Sequence, residues 1–311
     1  MGGTMRILGL LLGGACACAG FSAQAQTQPS QPPQPKPLAQ RIGHTDEARM
    51  RALTAVHAGA GTMKFQQLLG ADALSTTLIF VHRGVIAPKS GIGQHFHNQS
   101  EEMFVILEGD AQFTIDGRTS AIPGPAAVPD RMGHAHAVYN PGSTPLQWLN
   151  ISVGLTKAYD NFDLGDTREG AALDPIPQFI SMRLDRALLK PVVAMDGGEG
   201  TAQYRRALEP SVFSTPWSFV DHLLLPPGTS VGSASKPGMS EVYYVVAGEG
   251  EVTVAGETAT IKAGDAVPVD VDQARALRAT GAAPLELMVI GVAKDPAAKA
   301  AYAASLMRRP R

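Results

Sequence analysis

Two pairs of histidines define the chemistry open to this chain. His95 and His97 flank Phe96 in the stretch Gly91-Ile92-Gly93-Gln94-His95-Phe96-His97. Residues two apart share one face of a β-strand, so in extended chain the two imidazoles point the same way. Glu101 and Glu102 follow, then an apolar run from Met103 to Leu107, then Gly109, where the chain can turn. Neighbouring strand residues face opposite ways, so only one of the two carboxylates can join the histidines. His134 and His136 form the second pair, in the turn-then-strand segment from Val128 to Asn140. On a regular strand they too share a face. Imidazoles and a carboxylate converging from adjacent strands make a site that transition metals favour.

The two segments resemble the paired motifs of the cupin superfamily. The first motif is His-x-His, three or four residues, Glu, six residues, Gly, met here by His95, His97, Glu102 and Gly109. The second is Gly, two residues, His, three residues, Asn, met by Gly133, His136 and Asn140. Arg131 stands where the family has proline, so that turn departs from the pattern. The resemblance implies a small antiparallel β-barrel holding one divalent transition metal (Mn, Fe, Ni, Cu, Co or Zn) through His95, His97, Glu102 and His136. Ligand softness alone does not choose among these metals. Metal-dependent cupins include dioxygenases, oxalate-type decarboxylases, sugar isomerases and lyases. The expectation is therefore an enzyme acting on a small oxygen-rich acid or sugar-derived compound. The alternative is a periplasmic metal or small-ligand binding protein without turnover. Three further residues are candidates for the reaction. His134 is a general acid or base, a fifth ligand or a core residue, since a neutral imidazole suits proton transfer. Tyr139 is placed to hydrogen-bond in the site. Arg131 binds a substrate carboxylate or stands exposed. His44, His57 and His82 read as structural or surface residues. Glu101 is expected at the rim.

The elements around the motifs read as an all-β chain: two tandem jelly-roll barrels with a few short helices. Thr45 to Val56 has helix-like spacing. Strands follow at Phe65–Leu69, Ser75–Arg83, Glu102–Leu107, Asp110–Ile115 and Gln147–Val153, with a hairpin turn at Asp116-Gly117. Gly154 to Pro177 reads as a connector. The pattern then repeats, and Glu241 to Gly248 matches Glu102 to Gly109 step for step. Counted from Glu241, the ligand positions hold Ala234, Lys236 and Arg275. Alanine has no donor, and cationic lysine and arginine do not coordinate, so the second barrel is expected to be metal-free. Glu241 is expected to pair with Lys236 or Arg275. The second barrel then serves as scaffold, covering the first barrel or forming a homodimer surface, or Lys236 and Arg275 hold an anion. Ala-rich Pro296 to Met307 reads as a terminal helix.

Length and composition fit this plan. The chain has 311 residues, 44% hydrophobic, enough for two domains with sizeable cores. A formal charge of −2 gives no electrostatic reason for nucleic acid or an anionic membrane as partner, which leaves a small molecule. Arg6, the apolar run Ile7 to Cys18, itself too short to span a bilayer, and Ala23-Gln24-Ala25 read as a signal peptide over residues 1–25. The expected location is periplasmic or secreted, with a lipid-modified Cys16 as the rival. A Gln/Pro-rich linker (26–40), a metal-binding cupin (41–168), a connector (169–200) and a degenerate cupin with its helix (201–311) complete the expected layout.

Overall fold

A computed structural model describes residues 36–307. The expected signal peptide and most of the Gln/Pro-rich linker lie outside the described residues. Among the described residues no helix is long and apolar enough to cross a membrane.

The chain folds as two β-barrels of the jelly-roll type, each made of a seven-stranded sheet facing a smaller one of five or four strands. Elements recur from 43 to 182, from 51 to 190 and from 100 to 239, a constant offset of 139 residues. The repeat found in the sequence is thus a duplication in register over its whole length. Among the described residues α-helix is confined to Leu38–Arg41 and Pro296–Met307, the latter as expected from its alanine content, with a few 3-10 turns.

Side-chain alternation sorts the apolar residues into three cores. In the strand Ser100–Glu108, Phe104 and Ile106 point into the first barrel, with Trp148 and Val138. Met103 and Val105, of opposite parity, point outward and join Leu149, Ile151, Trp217, Val242, Met288 and Ile290 in a core shared by the two seven-stranded sheets. The third core fills the second barrel. Glu101 follows the outward parity. It is not at the rim but fully buried between the barrels. Its carboxylate accepts hydrogen bonds from the backbone N–H groups of Ser214 and Thr215 (2.8 and 2.9 Å) and from Thr215 Oγ1 (2.6 Å). The equivalent contact in the other direction joins Ser240 to Thr76 at 2.6 Å.

The helix expected over Thr45 to Val56 does not form. Arg51–Thr54 is instead a strand paired with Thr62–Leu69, flanked by 3-10 turns at Glu47–Arg49 and Val56–Ala58. Ala55 and His57 adopt left-handed backbone, which an α-helix does not admit. The leading segment of each repeat docks on the other barrel. Gly43–His44 pairs with Asp265–Val269, and Leu38 enters the core of the second barrel. Met182–Arg183 pairs with Ala126–Asp130 of the first.

Candidate metal centre

The strand Gly91–Phe96 carries His95 and ends one residue before His97. Glu102 projects from Ser100–Glu108 on the inward face, and His136 opens the strand His136–Tyr139, directly opposite His95. All four side chains are buried, and one ligand atom from each lies within 4.8 Å of the others.

The hydrogen bonds around the rings fix their orientation. Nδ1–H of His95 donates to the Gly93 carbonyl at 2.8 Å, that of His136 to the His134 carbonyl at 3.2 Å, and that of His97 to the Asp160 carbonyl. Each ring is thereby set with Nε2 as the free lone pair. The three Nε2 atoms and Glu102 Oε1 are buried without any hydrogen-bond partner. Four buried, unpartnered donors aimed at one point are costly unless something occupies it. A divalent transition metal fits this N3O set. Glu102 Oε2 is held by Asn150 Nδ2 at 2.9 Å.

At three of the four ligands, His95, His136 and Glu102, the electrostatics favour the charge state a metal needs. Burial drives His95 down to about 2, with the neighbouring His136 and His57 adding to the effect, and burial also lowers His136. Burial opposes ionisation of Glu102, but the rings of His136 and His97 outweigh it and hold the carboxyl well below its ordinary range. His97 is raised despite burial because Glu102 lies beside it. Asp130, paired across the sheet with Glu102, is also fully buried, and burial plus the Glu102 charge push it well above its usual value. The two carboxyls are thus driven apart, Glu102 toward the ionised form and Asp130 toward the protonated one.

A cavity of about 450 Å³ opens beside His95 and Glu102. Its walls are largely apolar and aromatic, with Met63, Phe65, Ile79, Phe80, Phe104 and Trp148 among them.

A cupin-domain profile matches residues 82–152 and 221–291. A protein of Thermotoga maritima described as oxalate-binding is 31% identical over 96 residues, covering 31% of this chain and 79% of that protein. The chain belongs to the cupin family. Among solved structures, oxalate decarboxylase from Bacillus subtilis superposes with a TM-score of 0.57 at 16% identity, over 81% of this cupin and 76% of that chain. A variant of salicylate 1,2-dioxygenase from Pseudoaminobacter salicylatoxidans in complex with gentisate superposes with a TM-score of 0.56 at 18% identity, over 76% and 73% of the two chains. At these identities the superpositions speak for the fold, a bicupin.

The structure separates the other three sequence candidates from the metal ligands. The strand of this cupin begins only at His136, so the alternation does not extend back to His134. The His134 ring turns outward to Asp116 at 2.6 Å, and only its backbone carbonyl touches the site. Arg131 is exposed and lines, with His134, a separate depression under Phe179. Tyr139 is three residues from His136, hence on the opposite face, with its hydroxyl 3.5 Å from Glu169. The placement of these side chains corrects the expectation that His134 faces inward and that Tyr139 reaches the site.

Other residues take those places. His57 stacks on His95 with centroids 3.8 Å apart, and its Nδ1–H donates to Asp163 at 2.6 Å. The turn carrying it lies against Gly93, where a Cβ would come within 2.1 Å of the His57 carbonyl; only glycine lets the two meet. His82 lines the cavity, stacked on Phe80 at 3.8 Å. Tyr159 also lines it, and burial together with the adjacent Glu102 carboxylate raises its phenol. The segment from 154 to 177 is therefore not a mere connector. It supplies Tyr159, the Asp160 carbonyl and the strand Phe162–Asp163, which pairs with His95. A sequence signal existed for His82 and His57. At the repeat offset they fall on Asp221 and Asp196, so polar residues recur at equivalent places in both repeats. His82 also interrupts an apolar strand. Tyr159 had no such signal.

In the second barrel ion pairs fill the equivalent space. Lys236 bonds Glu241, and Tyr243 donates to Glu241 at 3.0 Å. Arg275 donates to Tyr243 at 2.5 Å and pairs with Asp196 at 3.0 Å. Arg206, at the position of Gln67, bonds Asp221 and Tyr302. Three cations thus meet three carboxylates. The expected pairing of Glu241 is present, and Lys236 and Arg275 are not left free for an anion.

Proposed function

We propose that this bicupin is a metal-dependent enzyme whose single metal site lies in the first barrel and whose substrate is a small organic acid or related oxygen ligand. The observation that carries this reading is the convergence of three unpartnered Nε2 atoms and Glu102 Oε1 at the wall of a cavity large enough for substrate. When bound, the metal would supply a Lewis acid that stabilises negative charge developing on a ligand oxygen. His95, His97, Glu102 and His136 hold it, while Asn150 and the backbone carbonyls keep those ligands oriented. His57 braces the His95 ring. The apolar walls exclude water, and His82 and Tyr159 are the groups placed to exchange a proton with a ligand in the cavity. The class of reaction is oxygenase, decarboxylase or lyase. The second barrel acts as scaffold for the first.

The test is metal analysis of protein purified without chelators, followed by product and O₂-uptake assays on a panel of small acids. About one metal per chain, lost in His136→Ala, and turnover with at least one acid are expected. Absence of a stoichiometric metal even after reconstitution refutes the site. The printed description of the Thermotoga maritima relative favours a second reading, a binding protein for a small acid. Saturable binding by the metal-loaded protein with no turnover across the panel would decide for it. We also propose export to the periplasm or beyond through residues 1–25; a mature protein starting at Gln26 by mass spectrometry is the expected result, and an intact Met1 would overturn it.

A further inference from the structure

The cavity carries more information than its size. No lysine or arginine among the described residues lines it. Nearby cations are engaged elsewhere: Lys157 Nζ donates to the Ala71 and Leu74 carbonyls at 2.7 and 2.6 Å, Arg83 donates to the Trp148 carbonyl at 3.1 Å, and Arg51 is exposed over the Phe65 ring at 5.3 Å. A divalent ion with one glutamate and three neutral imidazoles carries one net positive charge. One singly charged head neutralises it. A dianion leaves a negative charge inside apolar walls, which is costly without a further cation. The volume, about 450 Å³, also far exceeds what a two-carbon acid needs. Apart from the metal ligands, the polar residues of the lining are His57, Gln67, His82, Asn150 and Tyr159, set among an apolar and aromatic majority.

We propose that this cavity takes a largely apolar molecule about the size of an aromatic ring, bearing one singly charged oxygen head directed at the His95/His97/Glu102/His136 site, and that it selects against small dianions such as oxalate. The proposal rests on the metal-site reading above and narrows its substrate class. The ring packs against Phe65, Ile79 and Phe104, while Gln67, His82 and Tyr159 are the side chains that meet its polar substituents. The acid with two adjacent carboxylates, suggested by the relative's description, and a sugar with hydroxyls on every side both leave polar groups unmatched here.

The experiment uses Co(II)-loaded full-length protein, whose visible absorption reports both metal uptake and ligand entry. The probes are benzohydroxamate, acetohydroxamate and oxalate. The first two share one chelating head and differ only in phenyl against methyl. Benzohydroxamate is expected to bind at least about tenfold tighter than acetohydroxamate, from the extra apolar area buried, and tighter than oxalate. In Phe65→Ala the phenyl preference should fall at least about threefold while Co(II) uptake is unchanged. Co(II) uptake with equal affinity for the two hydroxamates, or with oxalate the tightest, overturns the proposal and leaves the metal site standing. Absence of any protein-bound Co(II) spectrum overturns the metal site and the proposal with it.

Discussion

Replacing Glu101 by alanine should destabilise the whole chain without touching the metal site. Glu101 accepts three hydrogen bonds at 2.6 to 2.9 Å, two of them from backbone N–H groups in the Ser214-Thr215 turn. Alanine leaves those donors buried with no acceptor. Each stranded donor costs about 1–3 kcal/mol, and the Thr215 hydroxyl can rotate to recover part of its share. The expected loss is about 3–5 kcal/mol, large against a stability of roughly 5–15 kcal/mol for an ordinary domain. Glu101→Gln keeps one acceptor oxygen but sets an NH₂ against an N–H, so it should lose about half as much. Urea unfolding followed by tryptophan fluorescence measures this, since Trp148 and Trp217 sit one in each repeat and the core shared by both sheets couples them into one transition. Metal content should be unchanged, because Glu101 faces away from the ligands. A loss below about 1 kcal/mol in Glu101→Ala, or a loss of metal, would show that the carboxylate does not latch the two barrels together.

Glu102→Gln, one residue on, should behave in the opposite way: bound metal should fall below roughly a tenth of the wild-type level, since an amide oxygen is a neutral, weaker ligand, while unfolding of the metal-free form moves little; inductively coupled plasma analysis beside urea titration reads both. His82 titrates at about 4 in the folded chain because burial disfavours its cation, against 6.5 when free. The unfolded chain therefore binds the extra proton between those values, so His82 should contribute up to about 1.4 kcal/mol per unit to the stability that metal-free protein loses as pH falls from 6.5 to 4, beside the shares of His95 and His136, and His82→Phe should reduce the slope by that share. In the second barrel, Lys236→Met leaves Glu241 Oε1 without its cation while Tyr243 still serves Oε2, and should cost about 1–3 kcal/mol, whereas Lys236→Met with Glu241→Gln should cost less; additive losses in the double-mutant cycle would contradict the pairing.

Much of this was legible in the chain itself. The spacing of His95, His97, Glu102 and His136 marked the ligands because period-two alternation and a fixed turn leave few ways to arrange them. The gapless repeat made the second barrel and its missing ligands readable from Glu241. What escaped depended on where a strand begins and on contacts distant in sequence. His134 was misplaced because a turn residue two positions before a strand looks like a strand residue until the strand's first hydrogen bond is known. Thr45 to Val56 has helical spacing, yet pairing with Thr62–Leu69 overrides it. Tyr159 and Asp160 reach the site through a loop whose path no local pattern dictates. Glu101 was expected at the rim because nothing nearby in sequence announces that Ser214 and Thr215 are its partners.

The exchange of leading segments bears on how this molecule can be taken apart. Residues 43–44 complete the large sheet of the second barrel, and residues 182–183 complete that of the first. A fragment ending at the connector would carry an orphaned arm, lack its own closing strand and present Met103, Val105 and Leu149 to water. The barrel that lacks the His/Glu ligand set is therefore the mould that keeps the other in shape, and engineering that seeks a minimal metal-binding unit must carry both halves.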